Sequence, residues 1–344
     1  MSEKMATELK IPKKKIKLST YLNILLGVAL LIVLIFGWFY LKGSNPVENA
    51  RDAVSLSSVP TPEYLYTIYG SEKTKIQTAW NTVSDGTRVY VIDAGNSRVA
   101  VFDYNGKFLF DIGKPKNKSG SRQPGDLINP FGIALVNNEI YVSDAVSRLI
   151  YIFNTEGKFL RYFASKKIYI PASIYYKNGK FYINDAFSHS VRVFDSTGKE
   201  LLVFGKRGAQ EGNLNYANGI YVDDSNNIYV ADSNNNRIQV FDEKGKFKAV
   251  WNGKDSEGTS GYSIPRGLAV DSKGNFYTAE VLSSDIVVSK PDGTVLTRFS
   301  YAEPPKDGVD DKLLAPTSVF IDQNQRLYVT EFRNARVLVY KIRY

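Results

Sequence analysis

One phrase, written six times, limits the fold of this chain more than any other feature. Its clearest copy runs Ile228-Tyr-Val-Ala-Asp232-Ser-Asn-Asn-Asn-Arg237-Ile-Gln-Val-Phe, and another runs Val89-Tyr-Val-Ile-Asp93-Ala-Gly-Asn-Ser-Arg98-Val-Ala-Val-Phe. The copies align on an acidic residue: Asp93, Asp144, Asp185, Asp232, Glu280 and Glu331, at intervals of 51, 41, 47, 48 and 51 residues. That period is too long for the short solenoid repeats. Each copy holds four short runs rich in Val, Ile, Tyr and Phe, a composition that suits a pleated, packed surface. Turn-forming clusters such as Asp224-Ser-Asn-Asn and Asp242-Glu-Lys-Gly separate the runs. Four strands per unit, repeated radially, describe a propeller blade, so the sequence predicts an all-β, six-bladed β-propeller over residues 63–344.

The two ends of the repeat region support this. The sixth copy ends at Tyr344 without a fourth strand, and Glu63-Tyr-Leu-Tyr-Thr-Ile-Tyr-Gly70 precedes the first copy as an orphan. Pairing the orphan with the last blade closes the ring and removes a free sheet edge.

The phrase Tyr229-Val-Ala-Asp-Ser-Asn-Asn-Asn-Arg-Ile-Gln-Val-Phe241, with Asn218-Gly-Ile and Pro265-Arg-Gly-Leu-Ala-Val-Asp, resembles the NHL repeat family, in a membrane-anchored bacterial form. The likeness spans residues 63–344 and is best in the first and fourth copies. It weakens where Leu149, Ser190 and Asp285 fill the arginine slot, with Arg148 one residue early and Ser289 in place of an aromatic. The resemblance implies the fold and leaves function open, because propellers of this family include sensors, scaffolds, RNA binders and a few enzymes.

Residues 18–41 carry no charge, and 24 residues of helix span a bilayer core of about 30 Å. Six lysines precede the segment, whereas Lys42 and Arg51 alone follow it before the propeller. The positive-inside rule therefore predicts a cytoplasmic tail over 1–17, a single-pass signal anchor over 18–41, a linker over 42–62 and an extracytoplasmic propeller at the cell membrane. The apolar run exceeds that of a cleaved signal peptide, and no Ala-x-Ala site follows it.

The net charge is +9, of which residues 1–59 hold +4 and the remainder +5. A mildly basic propeller argues against nucleic acid as a partner. There is no cysteine, which excludes thiol chemistry, disulfides and thiolate-bound metals. Between-blade connections and the turns after each acidic residue must share one face. Connections vary in length, and binding concentrates in such loops. Three are basic, through Lys116, Lys118, Arg122, Lys166, Lys167, Lys206 and Arg207, and two are acidic. That asymmetry is expected to steer an anionic ligand, unless it reflects ordinary solvated loops.

The six acidic residues are the most tempting constellation. Pointed into a central channel, they would bind a cation. Because they recur in every blade, they are expected instead to cap turns or to pair with Arg98, Arg237 and Arg336. Within the resembling family some lyases use several histidines on zinc, a set that His189, the lone histidine here, cannot supply. No catalytic set, metal site or cofactor is expected. The predicted function is a binding or scaffold module that presents its loop face to a protein or an anionic envelope polymer. A metal-dependent, lactonase-like hydrolase and an RNA-binding propeller are the alternatives.

Overall fold

The chain divides into two units, Met1–Leu56 and Ser57–Tyr344. A computed structural model describes residues 61–344 apart from 72, 74, 116–121, 164–167, 255–257, 259–260 and 302–311. The tail, the expected anchor and residues 42–60 of the linker lie outside the described residues. Among the described residues no helix is long and apolar enough to cross a membrane.

Six four-stranded antiparallel sheets form the blades of a propeller. Each blade runs from an inner strand outward through a second and third strand to an outer one. The inner strands are Ala79–Ser84, Pro130–Val136, Pro171–Lys177, Ala217–Val222, Pro265–Val270 and Pro316–Ile321. The sixth sheet is completed by Glu63–Ile68, which pairs antiparallel with Arg336–Lys341. The orphan run thus becomes the outer strand of the last blade, and the ring is closed by strands from both ends of the repeat region. The seam is reinforced on one face, where the Tyr66 hydroxyl and an Arg326 Nη1–H both donate to the Tyr104 carbonyl, at 2.7 and 2.6 Å.

Strand periodicity explains the near-continuous apolar runs. In the second strand of blade 1, Val89 and Val91 pack against blade 6, while Tyr90 and Ile92 pack against blade 2. With both faces buried, alternation gives way to an unbroken hydrophobic sequence. Six such clusters, one between each pair of neighbouring blades, make up the core. Tight turns complete it. Gly245 adopts φ +75° in the third-to-outer turn of blade 4, where a Cβ would sit 2.6 Å from the Phe204 ring of blade 3. Only glycine meets both demands.

Candidate functional site

The acidic residues are fully buried, and they hold the chain where it enters each blade. Asp93 accepts the backbone N–H groups of Gln77 and Thr78 at 3.0 and 3.3 Å. Asp144 accepts those of Ile128 and Asn129 with one oxygen, and those of Val146 and Ser147 with the other. Asp185 takes Tyr169 and Ile170, and Asp232 takes Asn215. Glu280 takes Ser263, and Glu331 takes Leu314. Each carboxylate thus satisfies donors of the between-blade connection that would otherwise be orphaned near the core.

Arginine completes the arrangement differently from blade to blade. Arg98, opposite Asp93 across the hairpin, bonds it at 2.8 Å and reaches Asp111 at 2.7 Å. Arg237 pairs with Asp232 at 2.8 Å, and Arg336 pairs with Glu331. In blade 3, Ser190 occupies the arginine slot, and Arg192, two residues on, approaches Asp185 at 3.4 Å while bonding Glu200. The third copy is therefore less degraded than its arginine slot suggests. In blade 5, Asp285 occupies the slot and pairs with Arg298 of the outer strand. Glu280 keeps no arginine of its own, and its Oε1 has no hydrogen-bond partner among the described residues. Burial, reinforced by nearby Asp285, pushes the Glu280 carboxyl up to about 8.

His189 sits at a conformationally special point, with φ +54° at the end of the turn between the second and third strands. Ser97, Arg148, Asn236, Ser284 and Ala335 adopt the same left-handed conformation in the other blades. The His189 Nδ1 accepts the Tyr216 N–H at 3.1 Å, and its ring meets that of Tyr216 edge-on. Burial and Arg207 lower its pKa. An acceptor Nδ1 leaves the other ring nitrogen to carry the proton of the neutral form.

Of the loop-face cations, Lys116, Lys118, Lys166 and Lys167 lie outside the described residues. Arg122 is exposed and donates to the Leu127 carbonyl at 2.8 Å, a bond within its own connection. Lys206 and Arg207 are exposed on the blade 3–4 connection.

The structure also singles out a ring of residues that the repeat alignment passes over. Immediately after the residue that pairs with each acid, the inner strands place Trp80, Phe131, Ala172, Asn218, Arg266 and Thr317 around the mouth of the central channel. The next position is small or polar for a steric reason. A Cβ on Gly219 would lie 2.1 Å from the Arg266 carbonyl of the adjacent blade. The ring therefore sets six different side chains around the channel, next to positions where neighbouring backbones approach closely. Trp80 lies between Phe131 and Phe332, with ring centroids 4.7 and 4.8 Å away, and the Arg266 guanidinium stands 5.4 Å from the Trp80 ring centroid.

The channel has a volume of about 360 Å³, and a recess of about 410 Å³ at its mouth adds Leu282, Leu314, Phe332 and Arg333 to its wall. Among the described residues no carboxylate lines either space. Arg266 has no ion pair among them, its Nε is buried without a hydrogen-bond partner, and burial lowers its pKa. No cluster of three or more acidic or histidine residues suited to a metal occurs among the described residues.

The same face carries an apolar crown. Val146, Phe187 and Leu282, each just after the acidic residue of its blade, are 58, 55 and 70 % exposed. A second aromatic–cation group lies there, with Tyr169 packed on Phe187 and Arg148 standing 5.1 Å over the Tyr169 ring.

The NHL repeat family model matches residues 214–241. A search of curated proteins finds no match to the chain. Among solved structures, virginiamycin B lyase from Staphylococcus aureus is 15 % identical, over 81 % of this chain and 88 % of that one, with TM-score 0.53. A Bacteroides thetaiotaomicron protein of unknown function is 13 % identical, over 83 % and 74 %, with TM-score 0.60. Hydrazine synthase from Kuenenia stuttgartiensis is 14 % identical, over 80 % and 98 %, with TM-score 0.54. At these identities the likeness establishes the propeller fold alone.

Proposed function

We propose that the chain is a membrane-anchored binding module, with its propeller outside the membrane and the channel-mouth face turned to a protein or an anionic envelope polymer. One observation carries this reading. The face that gathers the connections also gathers the exposed apolar side chains Val146, Phe187 and Leu282 beside the cations Arg148, Arg207 and Arg333. Two local groups carry it, Phe187 with Tyr169 and Arg148, and Leu282 with Phe332 and Arg333, each joining exposed apolar surface to a cation as interaction sites do. The uncharged run over 18–41 and its lysine-rich flank support the anchor and its orientation.

The enzyme alternative draws on the lyase likeness, and a catalytically inactive His→Ala variant of that lyase was solved with quinupristin. In this chain the lone histidine spends one ring nitrogen on the Tyr216 backbone. The RNA-binding alternative lacks a dense basic stripe. The test is capture from solubilised envelope by wild type, by a Phe187→Ser/Leu282→Ser/Arg207→Gln variant, and by a Lys244→Gln/Lys246→Gln control on the opposite face. Loss of a specific partner in the first variant alone is expected. Equal catches by all three would overturn the reading.

A further inference from the structure

We infer that the recess at the channel mouth, walled by Trp80, Arg266, Leu282, Leu314, Phe332 and Arg333, is a binding site for a small organic anion with a flat apolar body. This goes beyond the docking face. A rim that holds a macromolecule does not require an occupied channel, and an occupied channel does not require a rim partner.

Arg266 carries the argument. A guanidinium brought out of bulk water costs free energy unless an anion or hydrogen-bond acceptors compensate it. Elsewhere the protein supplies such partners: Arg98, Arg192, Arg237, Arg298 and Arg336 all pair with carboxylates. Arg88 and Arg326 reach backbone carbonyls instead. Arg266, by contrast, has neither a carboxylate nor a carbonyl acceptor among the described residues, and its Nε is buried without a hydrogen-bond partner. Its guanidinium lies against the π-face of Trp80, which offers modest attraction and leaves the in-plane N–H donors to a ligand. Arg333, exposed on the same wall, adds a second positive charge. A planar carboxylate or phosphate fits a guanidinium in two-pronged fashion.

The rest of the wall specifies the body of the ligand. Leu282 and Leu314 are 70 and 40 % exposed, and Phe332 is 40 % exposed with its ring stacked on Trp80. These are apolar surfaces in water that a ligand would cover. About 410 Å³ is within the range of pockets that accept small organic ligands. The channel groups behind them offer little competition. The single Thr317 hydroxyl proton is shared between the Trp80 and Thr330 carbonyls, and the Ser318 hydroxyl donates to the Asn81 Oδ1. Arg266 and the apolar wall are left as the features available to a visitor.

The experiment is calorimetric titration of the full chain in mild detergent with 1-naphthoate, its cationic counterpart 1-naphthylmethylammonium, and acetate. Wild type is expected to bind naphthoate at least tenfold more tightly than either analogue. Arg266→Gln is expected to weaken naphthoate at least tenfold, and Arg333→Gln by two- to fivefold. No naphthoate binding, equal binding of the cationic analogue, or unchanged binding in Arg266→Gln would each overturn the proposal. Should Arg266→Gln fail to fold, Arg333→Gln and the analogue comparison decide it, because Arg333 is exposed and the analogues leave the protein unaltered.

Discussion

Replacing Arg98 by Met tests whether the acid–arginine pairs serve the fold. The Arg98 side chain is fully buried, and its removal leaves Asp93, also fully buried, without a counter-charge. Breaking a buried pair from one side costs about 3–5 kcal/mol. Asp93 keeps the Gln77 and Thr78 N–H groups and the Asn96 amide, the last at 2.7 Å, which places the cost near the lower end. Asp111 is partly exposed and keeps Lys114, so it adds little. A loss of about 3 kcal/mol corresponds to a drop in Tm of roughly 6–12 °C for a domain of this size. Arg237→Met is the internal control. Asp232 retains the Asn215 N–H, the Asn235 amide and the Gln239 amide, and Arg237 is 13 % exposed. Its cost should be about half as large. In the Asp93→Asn/Arg98→Met double variant, removal of the stranded charge should restore part of the loss. The assay is thermal unfolding followed by circular dichroism. If Arg98→Met melted within 2 °C of wild type, or if Arg237→Met were the more damaging, the reasoning would be refuted.

Three further outcomes are expected. Glu280 has a folded-state pKa of about 8, raised above its unfolded value of about 4.3, so folding takes up a proton between those limits. Its contribution is full below about pH 4.3 and is lost as pH rises toward 8, at a slope of at most about 1 kcal/mol per pH unit; Glu280→Gln should flatten that descent in denaturant titrations, and an unchanged slope would count against it. Gly219→Ala forces a Cβ to within 2.1 Å of the Arg266 carbonyl and should cost about 3 kcal/mol, read as a shifted urea midpoint; a neutral substitution would show that the inner strands are not in close contact. Deleting residues 60–70 removes the strand that closes blade 6 and should leave an aggregating domain by light scattering, whereas a monomer with an unaltered melting curve would contradict closure by that strand.

The blades were legible because their residues obey local rules. Strand composition, turn clusters such as Asp242-Glu-Lys-Gly and the period of the acidic residue locate the sheets, and the missing fourth strand of the sixth copy points to Glu63–Ile68 as its replacement. The mouth was not legible for the opposite reason. Its six residues share a place in space and no chemistry: Trp80, Phe131, Ala172, Asn218, Arg266 and Thr317 stand 13 or 14 residues before their acids, and an alignment built on like letters skips them. Reading the position beside each inner-strand glycine, as in Asn218-Gly219 and Arg266-Gly267, would have exposed part of the ring. Arg192 was missed because it acts from two residues beyond the expected slot, where the alternating strand turns it to the same side of the blade. The loop charges were readable as composition, but the bond from Arg122 to its own connection depends on backbone geometry that no residue count contains.

The central claim is that this protein works through the face bearing its channel mouth. Photo-cross-linking in intact cells tests it most directly, with a photoreactive phenylalanine analogue at Phe187 or Leu282 on that face, or at Lys244 on the opposite one. Discrete adducts from Phe187 and Leu282 and none from Lys244 are the predicted result. Adducts from Lys244 alone, or equally from all three positions, would contradict it.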